Sequence, residues 1–215
     1  DRMVAGGSDP LSHAVYAGFN VLRALAPTPA APFADRYGLS LGEGAAFVVL
    51  EPLDKALARG ATVYAVIGGY GMSNDAYHET APEPGGQGIR AATEMALRRS
   101  GVARERVGYI NAHGTGTQAN DRAELSGLRE TFGEAWSRIP ISSSKAYFGH
   151  NLGAAAAIEF VTSVYAIRQG LMPATLHFGT AREGCEDAFI VGNRMREGQP
   201  AWMLCNNSAF GGHNV

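Results

Sequence analysis

The sequence has 215 residues, of which 46% are hydrophobic, and its 18 basic and 20 acidic residues give a formal net charge of -2. This balance argues against a nucleic-acid partner, because binding to a phosphate backbone needs concentrated lysine and arginine. No apolar run approaches the roughly 18 residues that a membrane-crossing helix needs, so no membrane partner is expected.

The two cysteines, Cys185 and Cys205, have a spacing that suits neither a disulfide framework nor a zinc site. We therefore expect a cytoplasmic location and no metal site. The first residues lack the basic and then apolar order of a signal peptide. The sequence opens on a predicted strand that enters a Gly-Gly turn and stops just after a Gly-rich run, so we expect it to be part of a longer protein.

Apolar runs bounded by turn signals alternate with segments of helical periodicity, which is typical of an α/β fold with a largely buried sheet. The clearest helix covers residues 87–100, where apolar residues form a stripe and Gly101 supplies the stop. Asn120 or Asp121 is predicted to cap a second helix that runs to residue 132. Strands are predicted near residues 3–5, 45–50, 63–70, 107–111, 139–142, 189–191 and 202–206.

The segment 151–169 is apolar nearly all round and has a run of small residues at 153–157. A helix of this composition has to be buried on most faces. Its small side chains let other backbones approach closely, which predicts a central helix between two layers of the fold.

A histidine follows the predicted strand 107–111, in the segment Ala112-His113-Gly114-Thr115-Gly116-Thr117. Strand ends that enter Gly-rich loops are where α/β proteins place ligand sites. The glycines permit close approach of a substrate, and the threonines add hydrogen-bonding hydroxyl groups. This pattern predicts a functional His113, and the alternative is a histidine packed in a tight turn.

Lys145 and His150 lie between a second predicted strand end and the apolar segment 151–169. A charge in such a place is costly unless it is paired. The N-terminus of a buried helix favours neutral imidazole, which predicts a lowered pKa for the histidine. The alternative for Lys145 is a solvated loop residue.

A third cluster, residues 205–214, contains the triplet Phe210-Gly211-Gly212. It is either a mobile loop whose backbone N–H groups point into a cavity or a tight turn after an edge strand. The remaining histidines considered, His13, His78 and His177, are expected to be surface, loop or packing residues.

In this order the three clusters resemble the β-ketoacyl-acyl carrier protein synthases, particularly the elongating type. The resemblance extends along the whole sequence, and the collinearity of the motifs argues against a chance match. The shared motifs are Val4-Ala5-Gly6-Gly7, Gly42-Glu43-Gly44-Ala45, residues 69–78, residues 111–117, Asn120-Asp121 with Glu124, residues 144–150, Gly153-Ala154-Ala155 with Glu159, and Phe210-Gly211-Gly212.

The resemblance implies an α/β thiolase-like fold with αβαβα layers, made of two similar halves. Residues 1–60 would be the end of the N-terminal half and residues 61–215 the C-terminal half, so the fold in this chain would be incomplete and mostly the second half. Part of a layered core leaves large apolar faces exposed, so the isolated chain is expected to aggregate.

The resemblance also implies decarboxylative Claisen condensation, in fatty acid or polyketide elongation. A cysteine takes the acyl chain from acyl carrier protein, a malonyl-carrier thioester loses CO2, and the resulting carbanion attacks the acyl thioester to give a β-ketoacyl product. The implied partners are acyl carrier protein and a second subunit, in a homodimer or a ketosynthase heterodimer. No cofactor is implied, since the substrates are carried on the phosphopantetheine of the carrier.

The matching positions make His113 and His150 the pair that donates hydrogen bonds to the malonyl thioester oxygen. Lys145 corresponds to the lysine that orders this region and the second histidine. Thr115 and Thr117 correspond to hydroxyl groups that hold the phosphopantetheine arm.

Four further positions match residues around the family's site. Phe210 corresponds to the aromatic residue that gates the site and whose backbone N–H completes the oxyanion hole, and Gly211 belongs to the same oxyanion and gating loop. Glu124 and Glu159 correspond to acids that support the structure and are not catalysts.

This sequence departs from the family's pattern in several places. The family's cysteine lies upstream of residues 4–7, and neither Cys185 nor Cys205 occupies a matching position, so the chain as given is not expected to condense substrates. Ser208 stands where the family usually has phenylalanine and Ala209 where it usually has glycine, which predicts a stiffer loop and a smaller, more polar site floor.

Two other functions remain open from the sequence. One is a non-condensing partner subunit that determines chain length in a ketosynthase heterodimer. Such partners tend to lose the histidine pair, so the presence of both His113 and His150 argues against it. A thiolase or an acyl-CoA-starting synthase is the third possibility, and those enzymes usually carry a different residue pattern at one histidine.

Overall fold

A computed structural model describes residues 1–215 as six α-helices and ten strands, with short 3-10 turns between them. No helix has both the length and the apolar composition to cross a membrane. The helices are α1 (His13–Val21), α2 (Leu53–Ala58), α3 (Gln87–Ser100), α4 (Gln118–Phe132), α5 (Lys145–Phe148) and α6 (Ala155–Arg168). The strands are β1 (Met3–Asp9), β2 (Gly44–Leu50), β3 (Ser73–Asn74), β4 (Val107–Asn111), β5 (Ile141–Ser142), β6 (Leu171–Met172), β7 (Arg196–Glu197), β8 (Trp202–Cys205), β9 (Ser208–Ala209) and β10 (His213–Asn214).

The centre of the fold is a parallel sheet of three strands in the order β5-β4-β8. Ile110 of the middle strand β4 pairs with Ile141 of β5 and with Leu204 of β8. Strand β4 is almost entirely buried, as expected for a parallel strand that is covered on both faces. The strand predicted at 107–111 is confirmed, and those at 139–142 and 202–206 are confirmed with shorter bounds.

Helices α3 and α4 pack against this sheet and complete the main hydrophobic core. Ile89 of α3 and Leu125 and Leu128 of α4 share a cluster of solvent-free side chains with Ile110 and Ile141. The prediction of a helix over 87–100 is confirmed by α3.

The predicted end of α4 at residue 132 is confirmed, but its predicted start is wrong. The helix begins at Gln118, directly after Thr117, and neither Asn120 nor Asp121 is its cap. Asp121 instead holds the preceding loop, because its carboxylate accepts hydrogen bonds from the amides of Phe33 at 2.7 Å and Gly116 at 3.1 Å.

Helix α6 lies between the antiparallel pair β1-β2 on one side and β4 and β8 on the other, which confirms the predicted central helix. It is less buried than its composition predicts, since Tyr165 is 63% exposed. The cause is a cleft of about 760 Å³ between α6, β2 and residues 61–67. The strands predicted at 3–5 and 45–50 are confirmed by β1 and β2, which are both longer.

The strand predicted at 63–70 is wrong, because this segment pairs with no other strand. It lines the α6 cleft and a second cleft of about 650 Å³. At Gly69 its backbone packs against helix α3, which offers no strand edge for pairing. Arginine side chains bind its ends instead, with Arg168 donating to the carbonyl of Val63 and Arg99 to that of Tyr70, each at 3.1 Å. The strand predicted at 189–191 is reduced to one isolated bridge.

A small antiparallel sheet in the order β3-β10-β9 anchors the loop that contains Phe210. His213 pairs with both Asn74 and Ala209, and the side chain of Asn214 donates to Asp75 Oδ1 at 2.7 Å. Ala209 lies within β9 and is not in the left-handed region, so its methyl group causes no backbone strain there.

Candidate active site

The candidate site forms where the three parallel strands end. His113 follows the end of β4, Lys145 follows the end of β5, and Asn206 and Asn207 follow the end of β8. Because the carboxyl ends of parallel strands meet at one edge of a sheet, side chains from distant parts of the sequence converge there. His113 and both asparagines lie in loops, and Lys145 is the first residue of the short helix α5.

The loop of His113 is held by Glu124 on α4. The Glu124 carboxylate accepts the amide of His113 at 2.6 Å, the amide of Gly114 at 2.8 Å and the side chain of Asn206 at 2.6 Å. Burial raises the pKa of Glu124 to about 7, while these three donors favour its charged form. Glu124 therefore positions the backbone on which His113 is carried.

His150 lies between α5 and the turn that leads into α6. Its backbone is held on both sides, since its amide donates to Ser40 O at 2.7 Å and its carbonyl accepts from Gly42 N at 3.1 Å. The amide of Leu152 donates to Nδ1 of the ring at 3.2 Å. Burial, with a contribution from the charge of Lys145, lowers the pKa of His150 to about 3, so the ring is neutral near pH 7. The predicted lowering is found, and burial is its main cause.

The structure brings the His113 and His150 rings together. Their centroids are 5.2 Å apart and their planes are nearly perpendicular, at 84°. Burial, then the charges of Lys145 and His150, lower the pKa of His113 well below its ordinary value. The hydrogen bonds of both rings are made through Nδ1, which leaves each Nε2 without a partner in the chain.

Lys145 is buried, and the alternative of a solvated loop residue is wrong, since only 2% of the residue is exposed. Its ammonium group donates to Glu159 Oε1 on α6 at 2.5 Å and to the carbonyl oxygen of His113 at 2.6 Å. It also lies 3.2 Å from Nδ1 of His113. Lys145 and Glu159 thus join the central helix to the loop of His113.

Thr115 and Thr117 lie beside each other in the loop that follows His113, with their hydroxyl oxygens 2.9 Å apart.

Phe210 is 51% exposed and stacks on Phe19 of α1 at a ring-centroid distance of 5.8 Å. The amide of Gly211 already donates to the carbonyl oxygen of Glu79 at 2.7 Å. In this structure that amide is therefore not free to bind an oxyanion.

The other four histidines, which lie outside this group, are all exposed: His13, His78, His177 and His213. Neither cysteine is an activated thiol, because burial raises the pKa of both Cys185 and Cys205 to about 12.

Sequence patterns missed several polar residues of the site. Asn206 binds Glu124, Asn207 binds both His113 and Glu159, and Asn111 accepts from the hydroxyl of Ser144 at 2.8 Å. Their positions in the sequence could have indicated a role in the site, because each asparagine stands at or just after the end of a predicted strand.

Two family models match the chain: that of the β-ketoacyl synthase C-terminal domain over residues 64–179, and that of the β-ketoacyl synthase N-terminal domain over residues 1–56. The chain belongs to the β-ketoacyl synthase family. The 3-oxoacyl-(acyl-carrier-protein) synthase 2 of Coxiella burnetii is 44% identical over 222 aligned residues, which cover 100% of this chain and 53% of that ketosynthase. The chain spans about half the length of the curated relatives it matches.

Solved ketosynthase structures share this fold over the whole chain. The ishigamide ketosynthase/chain length factor matches with a TM-score of 0.94 and 37% identity, covering 100% of this chain and 52% of that one. A type II polyketide ketosynthase, solved with its acyl-carrier protein and bound to a hexaketide, matches with a TM-score of 0.95 and 32% identity. The match covers 100% of this chain and 54% of that one. The predicted α/β thiolase-like fold is confirmed by these matches.

Proposed function

We propose that the protein carrying this chain catalyses the decarboxylative Claisen condensation of an acyl chain with malonyl-acyl carrier protein. The observation that carries this proposal is the pair of His113 and His150, two neutral rings whose centroids lie 5.2 Å apart and whose Nε2 atoms have no partner in the chain. Two neutral N–H donors aimed at one oxygen stabilise the negative charge that develops on a thioester during decarboxylation.

In the proposed reaction the malonyl thioester oxygen binds between the two rings. The bond to the carboxylate breaks, CO2 leaves, and the electron pair moves into the enolate, whose oxygen is held by the two N–H groups. The carbanion then attacks the carbonyl carbon of the acyl thioester, and a thiolate leaves. Each donor is expected to contribute about 10²- to 10³-fold in rate, as for other oxyanion donors in water-poor sites.

The proposal assigns the acyl-accepting cysteine to a residue outside positions 1–215. Cys185 lies in the hydrophobic core and Cys205 on β8, and burial raises the pKa of both thiols. The division into the end of an N-terminal half, residues 1–60, and a C-terminal half, residues 61–215, is also part of the proposal.

The proposed partners are acyl carrier protein and a second ketosynthase-type subunit, in a homodimer or a heterodimer. Support comes from the neighbour solved with its acyl-carrier protein and from the ketosynthase/chain length factor neighbour. Thr115 and Thr117 would hold the phosphopantetheine arm, and Phe210 with Gly211 would gate access. No separate cofactor is proposed, and the location proposed from the two free cysteines is the cytoplasm.

The test uses the full-length protein. Release of CO2 from malonyl-acyl carrier protein and formation of β-ketoacyl product are measured for native protein, His113→Ala and the exposed control His13→Ala. We expect His113→Ala to lose at least about 10²-fold of decarboxylation, and His13→Ala to retain it. Full decarboxylation by His113→Ala refutes the proposal.

The non-condensing partner subunit remains the second candidate, favoured by a neighbour that includes a chain length factor. A cysteine at the start of a helix upstream of residue 1 supports the condensing enzyme, and its absence supports the partner subunit. A thiolase or acyl-CoA-starting enzyme would accept acyl-CoA in place of the carrier-bound substrate in the same assay.

A further inference from the structure

The two histidine rings differ in what surrounds Nδ1. Nδ1 of His150 accepts the backbone amide of Leu152 at 3.2 Å. A backbone N–H can only donate, so this Nδ1 carries a lone pair and the proton is on Nε2. Nδ1 of His113 instead faces the side-chain oxygen of Asn207 at 3.1 Å and the ammonium nitrogen of Lys145 at 3.2 Å.

The orientation of the Asn207 amide is set by its other contacts. Its nitrogen Nδ2 donates to Glu159 Oε2 at 3.0 Å, and a reversed amide would place its oxygen against this carboxylate. The Asn207 backbone is held by reciprocal hydrogen bonds with Val215, at 2.9 and 2.8 Å. The atom that faces His113 is therefore Oδ1, which can only accept a hydrogen bond.

Lys145 favours the tautomer without a proton on Nδ1 of His113, because an ammonium group can only donate a hydrogen bond. Two of its three protons are used in shorter contacts, to Glu159 Oε1 at 2.5 Å and to the carbonyl oxygen of His113 at 2.6 Å. Only the third N–H is available for Nδ1, at 3.2 Å. An acceptor and a donor thus compete for Nδ1 of His113 at nearly equal distance.

We propose that Asn207 is a positioning residue that stabilises the Nδ1–H tautomer of His113 against Lys145, so that His113 exchanges between two tautomers while His150 stays in one. In the Nδ1–H form, Nε2 of His113 presents a lone pair to the site, and in the other form it presents a proton. The proposed decarboxylation uses the Nε2–H form of His113, so the role of the exchange in catalysis rests on the proposed function, whereas the exchange itself does not.

The tautomers are read by ¹⁵N NMR of the full-length protein with labelled histidine, and the His113 signals are assigned by comparison with His113→Gln. We expect His150 in the Nε2–H form alone and His113 in both forms. In Asn207→Leu the Nδ1–H to Nε2–H ratio of His113 should fall about fivefold, which corresponds to about 1 kcal/mol for one net hydrogen bond.

Ser208→Ala is the matched control, because Ser208 lies in the same loop but donates to Asn214 Oδ1 at 2.8 Å and does not touch the ring. It should leave the His113 ratio unchanged. If Asn207→Leu does not fold, the native spectrum decides alone: a single Nε2–H form of His113 overturns the proposal, and two forms support it. An unchanged ratio in folded Asn207→Leu also overturns it, whatever the decarboxylation assay gives.

Discussion

The ammonium nitrogen of Lys145 lies 2.5 Å from Glu159 Oε1, and the two side chains are only 1% and 3% exposed. This buried pair connects α6 to the loop after β4, because Lys145 also donates to the carbonyl oxygen of His113. Removing one member of a buried ion pair leaves an uncompensated charge in a poorly solvating environment.

We therefore expect Lys145→Met to lower the free energy of unfolding by about 3–5 kcal/mol, measured by urea denaturation. The double variant Lys145→Met with Glu159→Leu should be less destabilised than Lys145→Met, because no charge is left buried. The control is Arg122→Met, which breaks an ion pair with the 87% exposed Glu183 and should cost about 1 kcal/mol or less. Similar losses in Lys145→Met and Arg122→Met would contradict the prediction.

Acid should destabilise the fold through His150. Its pKa is lowered to about 3 in the folded state by burial, from an ordinary value of 6.5. Below pH 6.5 the unfolded chain takes up a proton that the folded ring does not, so the free energy of unfolding falls as pH falls. The contribution of this one group between pH 7 and pH 4 is about 3 kcal/mol.

The measurement compares urea denaturation at pH 7 and pH 4 for native protein, His150→Gln and His13→Gln. The first variant should lose less stability on acidification than native protein by about 3 kcal/mol. His13 is exposed, so its variant should follow the native protein. Parallel pH dependence of native protein and His150→Gln would show that the ring titrates normally.

The hydroxyl pair of Thr115 and Thr117 supports a prediction about substrate binding. If Thr115 holds the carrier's phosphopantetheine arm, Thr115→Val removes about 1 kcal/mol of binding, or about fivefold in KM for malonyl-acyl carrier protein, with little change in kcat. Steady-state kinetics on the full-length protein measures this, with the exposed Thr180→Val as control. A loss confined to kcat would remove Thr115 from the binding role.

Residues 1–215 alone should self-associate. One face of the β1-β2 pair exposes large apolar side chains, including Val4 at 68%, Phe47 at 60% and Val49 at 62%. Apolar patches of this kind promote association of chains in water. Light scattering over a concentration series should show growing particles, and Phe47→Lys with Val49→Lys should reduce them. A monodisperse native sample that melts cooperatively would contradict the prediction.

The sequence predicted those helices and strands correctly whose formation depends on the pattern of nearby residues. The apolar stripe and Gly101 define α3, and the buried strand β4 is recognisable from its short apolar run. Residues 63–70 have the composition of a strand, but a strand also needs a neighbouring strand to pair with, and this segment lines two clefts and packs on helix α3 instead. Local composition contains no information about that neighbour.

The sequence by itself determined which chemical groups follow each strand: the histidine after β4, the lysine after β5 and the asparagines after β8. Only the tertiary structure decided that these strands are neighbours, which brings His113 within hydrogen-bond distance of Asn207, 94 positions away. It also decided the pKa values and the competition for Nδ1, because both depend on burial and on charges that approach only when the chain is folded.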